Sequence, residues 1–316
     1  MSIIEQATRR LEELKRAGIE VPTWDSAPAP LRAPEAASKA APLRFNAGAE
    51  RAASALRPLQ GTSALVQVGQ RQSQSVEIDI AQLANAGYLV PGSPRSTLAD
   101  EFRGIKQPLL KNARADPAAP IRLGNLIMVT SALAGEGKTF CALNLALSIA
   151  GEVDSSVLLV DADVLRPAVL ARLGLNGAGS SHKGLLDLLS DPGLDLSEVI
   201  LKTNVPKLSV LPAGTPRLNS TELLASNSMQ QLLEDISSRY ADRIVIFDTP
   251  PLLATTESRV LAERMGQILM VVHEASTSRQ DLTQAFSTLQ ACPIVLSMLN
   301  RSTQPNEQQK YGYAEG

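Results

Sequence analysis

Large apolar residues are sparse before Pro120 and regular after it. Six apolar runs, "NLIMVTS", "SVLLVDA", "KLSVLPA", "RIVIFDT", "QILMVVH" and "PIVLSML", alternate with helical stretches near 138–150, 183–189, 220–239, 257–265 and 279–291. Unbroken apolar strands separated by amphipathic helices predict a sheet buried on both faces. The fold class is therefore α/β, a doubly wound, mainly parallel sheet with helices on both faces, spanning 121–305.

Upstream the pattern is different. Residues 1–20 contain "SIIEQATRRLEELKRAG", in which Ser2 with Glu5 reads as a capping box, Ile4, Ala7, Leu11 and Leu14 form a narrow stripe, and Gly18 can end the helix. Too short to be stable alone, it docks either on another surface or on the chain's own body. Residues 21–75 turn to alanine, proline, serine and arginine, a composition that buries too little surface to offset its ordering entropy, so a flexible, disordered linker is expected. Structure returns over 76–120, where Leu98, Phe102, Ile105 and Leu109 share a helical face and Pro108 is expected to bend or end that helix. A flexible tail follows over 306–316.

Composition narrows the function classes. The 30 basic and 32 acidic residues nearly cancel, which gives no electrostatic case for nucleic acid or an anionic membrane. Cys141 and Cys292 form neither a disulfide framework nor a metal ligand set, as expected of a cytoplasmic chain. No apolar run reaches the ~18–20 residues of a membrane span, so attachment at the inner membrane would be peripheral, through a partner. His182 and His273 stand apart and read as packing or surface residues.

The chemistry-bearing residues sit at strand ends. "ALAGEGKT" meets the phosphate-loop pattern through Gly137, Lys138 and Thr139, with Ala132 where glycine usually stands. Gly135 and Gly137 let backbone N–H groups turn toward an anion, Lys138 reaches phosphate oxygens, and Thr139 suits Mg²⁺. The architecture is thus P-loop NTPase-like. Asp161 and Asp163, in "VLLVDADVLRP", suit metal coordination and acceptance of a hydroxyl proton, the alternative being a turn with solvated acids. Arg166 suits either phosphate charge or a surface ion pair. "RIVIFDTPP" delivers Asp248 to the metal shell, with Pro250 and Pro251 stiffening the exit.

Together these motifs resemble the bacterial tyrosine kinase family, closest to the exosortase-associated exopolysaccharide tyrosine autokinases, over roughly Ser93 to the C-terminus. The resemblance implies ATP and Mg²⁺ as cofactors and a nucleotide loop of Ala134, Gly135, Glu136, Gly137, Lys138, Thr139 and Phe140, with Asn300 at the adenine. It implies a catalytic set of Lys138, Asp161, Asp163 and Asp248, in which Asp161 is the base for a tyrosine hydroxyl and Thr139, Asp163 and Asp248 hold the metal. It also implies a ring-like homo-oligomer built on a helix whose aligned residues here are Asp100, Arg103 and Lys106. Lysine at 106 loses arginine's bidentate fork. A chain-length-determinant membrane protein as activator and a phosphotyrosine phosphatase are the further partners implied, and control of exopolysaccharide biosynthesis or export is the role.

Of four tyrosines, Tyr311 and Tyr313 lie in the last six residues, "YGYAEG". They read as autophosphorylation sites, each gaining about −1.5 to −2 charge, or else as a chance unanchored terminus. Two rival functions remain: a ParA/MinD-like switch ATPase, whose deviant loop carries a lysine where Leu133 stands, and a non-catalytic nucleotide-gated adaptor of a polysaccharide export complex.

Overall fold

The computed structural model describes residues 73–92, 95–114, 121–175, 182–239 and 242–302. The helix expected over 1–20, all but the last residues of the expected linker, and Tyr311 and Tyr313 lie outside the described residues.

All six apolar runs are strands: β2 (Leu126–Ser131), β3 (Ser156–Asp161), β5 (Leu208–Leu211), β6 (Arg243–Asp248), β7 (Gln267–His273) and β8 (Val295–Asn300). Two further strands, β1 (Gln74–Val76) and β4 (Leu201–Thr203), complete an eight-stranded sheet in the order β1-β4-β5-β3-β6-β2-β7-β8. β1 begins inside the stretch expected to be linker. The sheet is parallel from β5 through β8, whereas β4 runs antiparallel to β5 and parallel to β1.

Successive side chains point to opposite faces, and both faces are apolar. Leu126, Met128, Leu158, Val160, Val245, Phe247, Ile268 and Met270 enter one core. Their neighbours Ile127, Val129, Val157, Leu159, Ile244, Ile246, Leu269 and Val271 enter the other. The first core is covered by α5 (Leu185–Ser190), α6 (Leu196–Val199), α7 (Ser220–Ala225), α8 (Asn227–Arg239), α9 (Thr256–Ala262) and α10 (Arg279–Ser287). The second lies under α1 (Ile80–Asn85), α2 (Thr97–Ala113), α3 (Lys138–Ala150) and α4 (Val169–Arg172). No helix among the described residues is long and apolar enough to cross a membrane.

One helix expectation is narrowed and another corrected. Helix α2 does not end at Pro108 but continues to Ala113. An interior proline costs about 3 kcal/mol. The next two residues, Leu109 and Leu110, are buried in the second core, and at about 1.5–3 kcal/mol each their burial offsets that cost. The single helix expected over 220–239 is instead two, α7 and α8, divided at Ser226. The Ser226 hydroxyl donates to Leu223 O at 2.7 Å and accepts from Met229 N–H at 3.2 Å, closing one helix and capping the next.

Candidate active site

The sheet order places the C-terminal ends of β3, β6 and β2 side by side. Asp161 pairs in register with Asp248, and Asp248 with Val129, so the phosphate loop leaving β2 starts beside both acids. This is the edge at which open parallel sheets bind ligands. The loop after β6 is tied to that start: Leu252 N–H donates to Ser131 O at 2.8 Å, and the Thr249 hydroxyl to Val129 O at 3.0 Å.

The loop takes the shape its glycines permit. Gly135 and Gly137 have φ of 88° and 97°, left-handed values that disfavour any side chain. A Cβ on Gly137 would also fall 2.1 Å from Asn300 Nδ2, because that amide donates to Glu136 O at 2.8 Å. Ala132, in place of the usual glycine, is buried in the first core.

The Glu136 side chain, also buried, accepts from Leu133 N–H at 2.8 Å and from the Thr277 hydroxyl. Thr277 in turn accepts from His273 N–H at 3.0 Å, which ties the loop to the end of β7. Glu136 thus shapes the loop with its carboxylate, and Asn300, expected at the base of the nucleotide, also clamps the loop backbone. Glu136→Ala leaves two donors without their acceptor. Nucleotide affinity is expected to fall about tenfold, with a smaller loss for Thr277→Val, in titrations with fluorescent ADP.

Lys138 and the three acids converge as expected. Lys138 Nζ lies 3.4 Å from Asp163 Oδ2, and Asp163 Oδ1 accepts Arg166 N–H at 3.1 Å. The Arg166 residue is exposed. Asp161 has a structural duty as well: its Oδ2 accepts the N–H groups of Ala168 and Val169, both at 3.0 Å, where α4 begins. Asp161 Oδ1 and both carboxylate oxygens of Asp248 are buried without a hydrogen-bond partner, although the Thr139 hydroxyl lies close enough to Asp248 to favour its charge.

Burial raises the Asp161 carboxyl to about 7; the Val169 N–H opposes the rise and the Asp163 charge adds to it. Asp248 is likewise raised to about 7, first by burial and then by the Asp161 charge, with Thr139 and Lys138 pulling it down. Orphaned acid oxygens beside a threonine hydroxyl are a donor set suited to a hard cation. Among the described residues no three His, Cys, Asp or Glu side chains could hold a metal by themselves, so a Mg²⁺ here would share its shell with nucleotide oxygens.

A cavity of about 470 Å³ opens over the loop, lined by Gly135, Gly137, Lys138, Thr139, Phe140, Arg172, Asn300 and Arg301. Arg172 and Arg301 escaped sequence reasoning. Arg172 ends a four-residue helix with no motif around it, while Arg301 directly follows Asn300.

The residues expected to form an oligomer contact separate. Asp100 and Arg103 are exposed and paired with each other at 2.7 Å on α2. Lys106 is buried, donating to Ser148 O at 2.8 Å and pairing with Glu152 Oε1 at 2.5 Å, so its charge is spent within its own chain.

Known proteins share this architecture and sequence. The AAA domain family matches residues 124–295. The tyrosine-protein kinase YwqD of Bacillus subtilis is 28% identical over 221 residues, 70% of this chain and 87% of its own length. The tyrosine-protein kinase CpsD of Streptococcus agalactiae is 31% identical over 182 residues, 56% of this chain and 75% of its own. Other tyrosine-protein kinases are much longer, and this chain spans 20% to 26% of their length. Among solved structures, the kinase domain of Escherichia coli tyrosine kinase ETK superposes with a TM-score of 0.54 over 73% of this chain and 98% of its own, a likeness of fold at 24% identity. With its AAA domain, and with CpsD related over three quarters of that protein's length, the chain belongs to the family of bacterial tyrosine-protein kinases.

Proposed function

We propose that this chain transfers the terminal phosphoryl group of ATP to tyrosines of its own kind, Tyr311 and Tyr313, mostly between subunits, and that this controls exopolysaccharide biosynthesis or export. The observation that carries the reading is the meeting of Lys138, on the phosphate loop, with three buried acids from two neighbouring strand ends. A nucleotide-gated switch needs the loop; an acceptor hydroxyl needs a base beside it.

In this mechanism the backbone N–H groups around Gly135 and Gly137 cradle the phosphates and Lys138 neutralises charge on the transferred group. Asp161 Oδ1, the oxygen its backbone contacts leave free, takes the tyrosine proton. A bond forms from the tyrosine oxygen to the γ-phosphorus as the bond to the bridging oxygen breaks, and ADP leaves. A carboxyl titrating near neutrality is well matched to that proton transfer. Thr139, Asp163 and Asp248 would hold Mg²⁺, which when bound offsets the charge of the phosphate oxygens. The polar tail carrying Tyr311 and Tyr313 supplies the acceptors.

A ring-like homo-oligomer, a chain-length-determinant membrane protein as activator and a phosphatase that resets the tail complete the reading. Asp100 and Arg103 are the exposed residues left to make the subunit contact. Phosphotyrosine mapping by mass spectrometry, after incubation with ATP, Mg²⁺ and the activator's cytoplasmic segment, is expected to find phosphate on Tyr311 or Tyr313. In a Tyr311→Phe/Tyr313→Phe chain the signal should vanish; phosphate persisting elsewhere at the wild-type level refutes the assignment of the acceptors.

A further inference from the structure

The segment ahead of α2 reaches the nucleotide cavity through contacts that the phosphotransfer chemistry does not use. Asn204 holds its start, accepting from Ile78 N–H at 2.9 Å and donating to Ile78 O at 3.0 Å. Asn144, wholly buried on α3, holds its end, accepting from Leu89 N–H at 2.8 Å while donating to Phe140 O at 3.0 Å. Between these anchors Ile78 and Leu83 enter the second core. Tyr88, 7% exposed, is set with its ring centroid 5.2 Å from that of Phe140. Burial raises the Tyr88 phenol above its usual pKa, and the Arg172 guanidinium beside its hydroxyl opposes that rise.

Phe140 and Arg172 are both cavity walls. Arg172 is located from two sides: α4, which ends with it, begins at the two N–H groups fixed by Asp161, and its far end meets the Tyr88 hydroxyl. A guanidinium held in place beside phosphate-loop donors is preorganised for an anion, and its planar fork loses little freedom on binding one. Lys138 faces Asp163, whereas the neighbours of Arg172 are Tyr88 and the aromatic wall, so Arg172 serves a part of the nucleotide that ADP and ATP share.

We propose that Arg172 is a nucleotide-binding residue of this chain and that Tyr88 is the positioning residue that sets Arg172 and Phe140 in the cavity wall. The inference rests on the reading of this cavity as a nucleotide site. It makes the lead-in segment part of the ATP site rather than a tether to it.

The test is titration of the full chain with fluorescent ADP and ATP analogues, with melting curves taken without nucleotide. Arg172→Ala is expected to weaken both nucleotides about tenfold, with partial rescue in Arg172→Lys. Tyr88→Phe keeps the ring on Phe140 and removes only the hydroxyl; a roughly threefold loss is expected, and no further loss when it is combined with Arg172→Ala. The kinetic effect falls on the KM for ATP more than on kcat, and the melting temperatures stay near wild type. Unchanged affinity in Arg172→Ala, beside a wild-type chain that binds normally, overturns the proposal. So do additive losses in the double variant, which would detach Tyr88 from Arg172. A wild-type chain that binds neither nucleotide overturns the nucleotide-site reading itself.

Discussion

Replacing Lys138 with methionine is expected to lower the rate of tyrosine phosphorylation by about a hundredfold to a thousandfold while leaving the fold intact. The side chain is 14% exposed and makes its ion pair with Asp163 alone among the described residues. Methionine keeps the length and the apolar stem. Asp163 retains its bond from Arg166 N–H, so the acid is not left bare. What disappears is the positive charge at the phosphate end of the cavity, and preorganised charges of this kind are worth about 10²–10³ in rate for a single lost donor. Initial rates of phosphotyrosine formation, with a melting curve beside them, check this. A variant that melts like wild type yet phosphorylates within tenfold of it would remove Lys138 from the chemistry.

Asp248→Asn is expected to move stability and activity in opposite directions. The Asp248 carboxyl is raised from 3.8 to about 7, because burial disfavours its charge and Asp161 adds to that. A carboxyl whose pKa is higher folded than unfolded holds its proton more tightly when folded. Its contribution therefore favours the fold below about pH 4, weakens as pH rises from about 4 to about 7, and is flat above that. An uncharged amide escapes this loss, and its carbonyl oxygen can still face the Thr139 hydroxyl that lies beside the acid. Without nucleotide or metal at about pH 8, the variant is expected to gain about 1–3 kcal/mol in denaturant unfolding, with the gain fading toward pH 4. Its phosphotransfer rate is expected to fall at least about a hundredfold. Equal stability at high and low pH would mean that the native site does not strain this charge.

The parts of the site that the sequence displays are those that the parallel sheet brings together by itself. A phosphate loop after one apolar run and acids after two others must meet if those runs are neighbouring parallel strands, and Asp161, Asp248 and Val129 do meet in register. The six long strands were legible because each is buried on both faces and so lacks polar interruptions. β1 and β4 were not, since three residues with exposed positions make no such run.

Pro108 does not end its helix because local propensity yields when the following turn is buried, and Ser226 was missed because one hydroxyl serves two helix ends. Lys106 shows the limit of spacing. One turn beyond the exposed Arg103, its side chain turns inward, where Ser148 and Glu152 claim it. Arg172, Thr277 and the second duty of Asp161 depend on contacts between residues distant along the chain or on loop geometry, and nothing in their local pattern announces them.

A kinase and a nucleotide switch differ in whether the phosphate loop and its acids send phosphate to tyrosine or to water. The measurement that decides it is a single-turnover reaction of the full chain with its activating segment, counting ADP, free phosphate and phosphotyrosine together. Phosphotyrosine matching the ADP formed, with little free phosphate, is the predicted result. ADP matched by free phosphate, with no phosphotyrosine, would contradict the kinase reading and leave a nucleotide switch in its place.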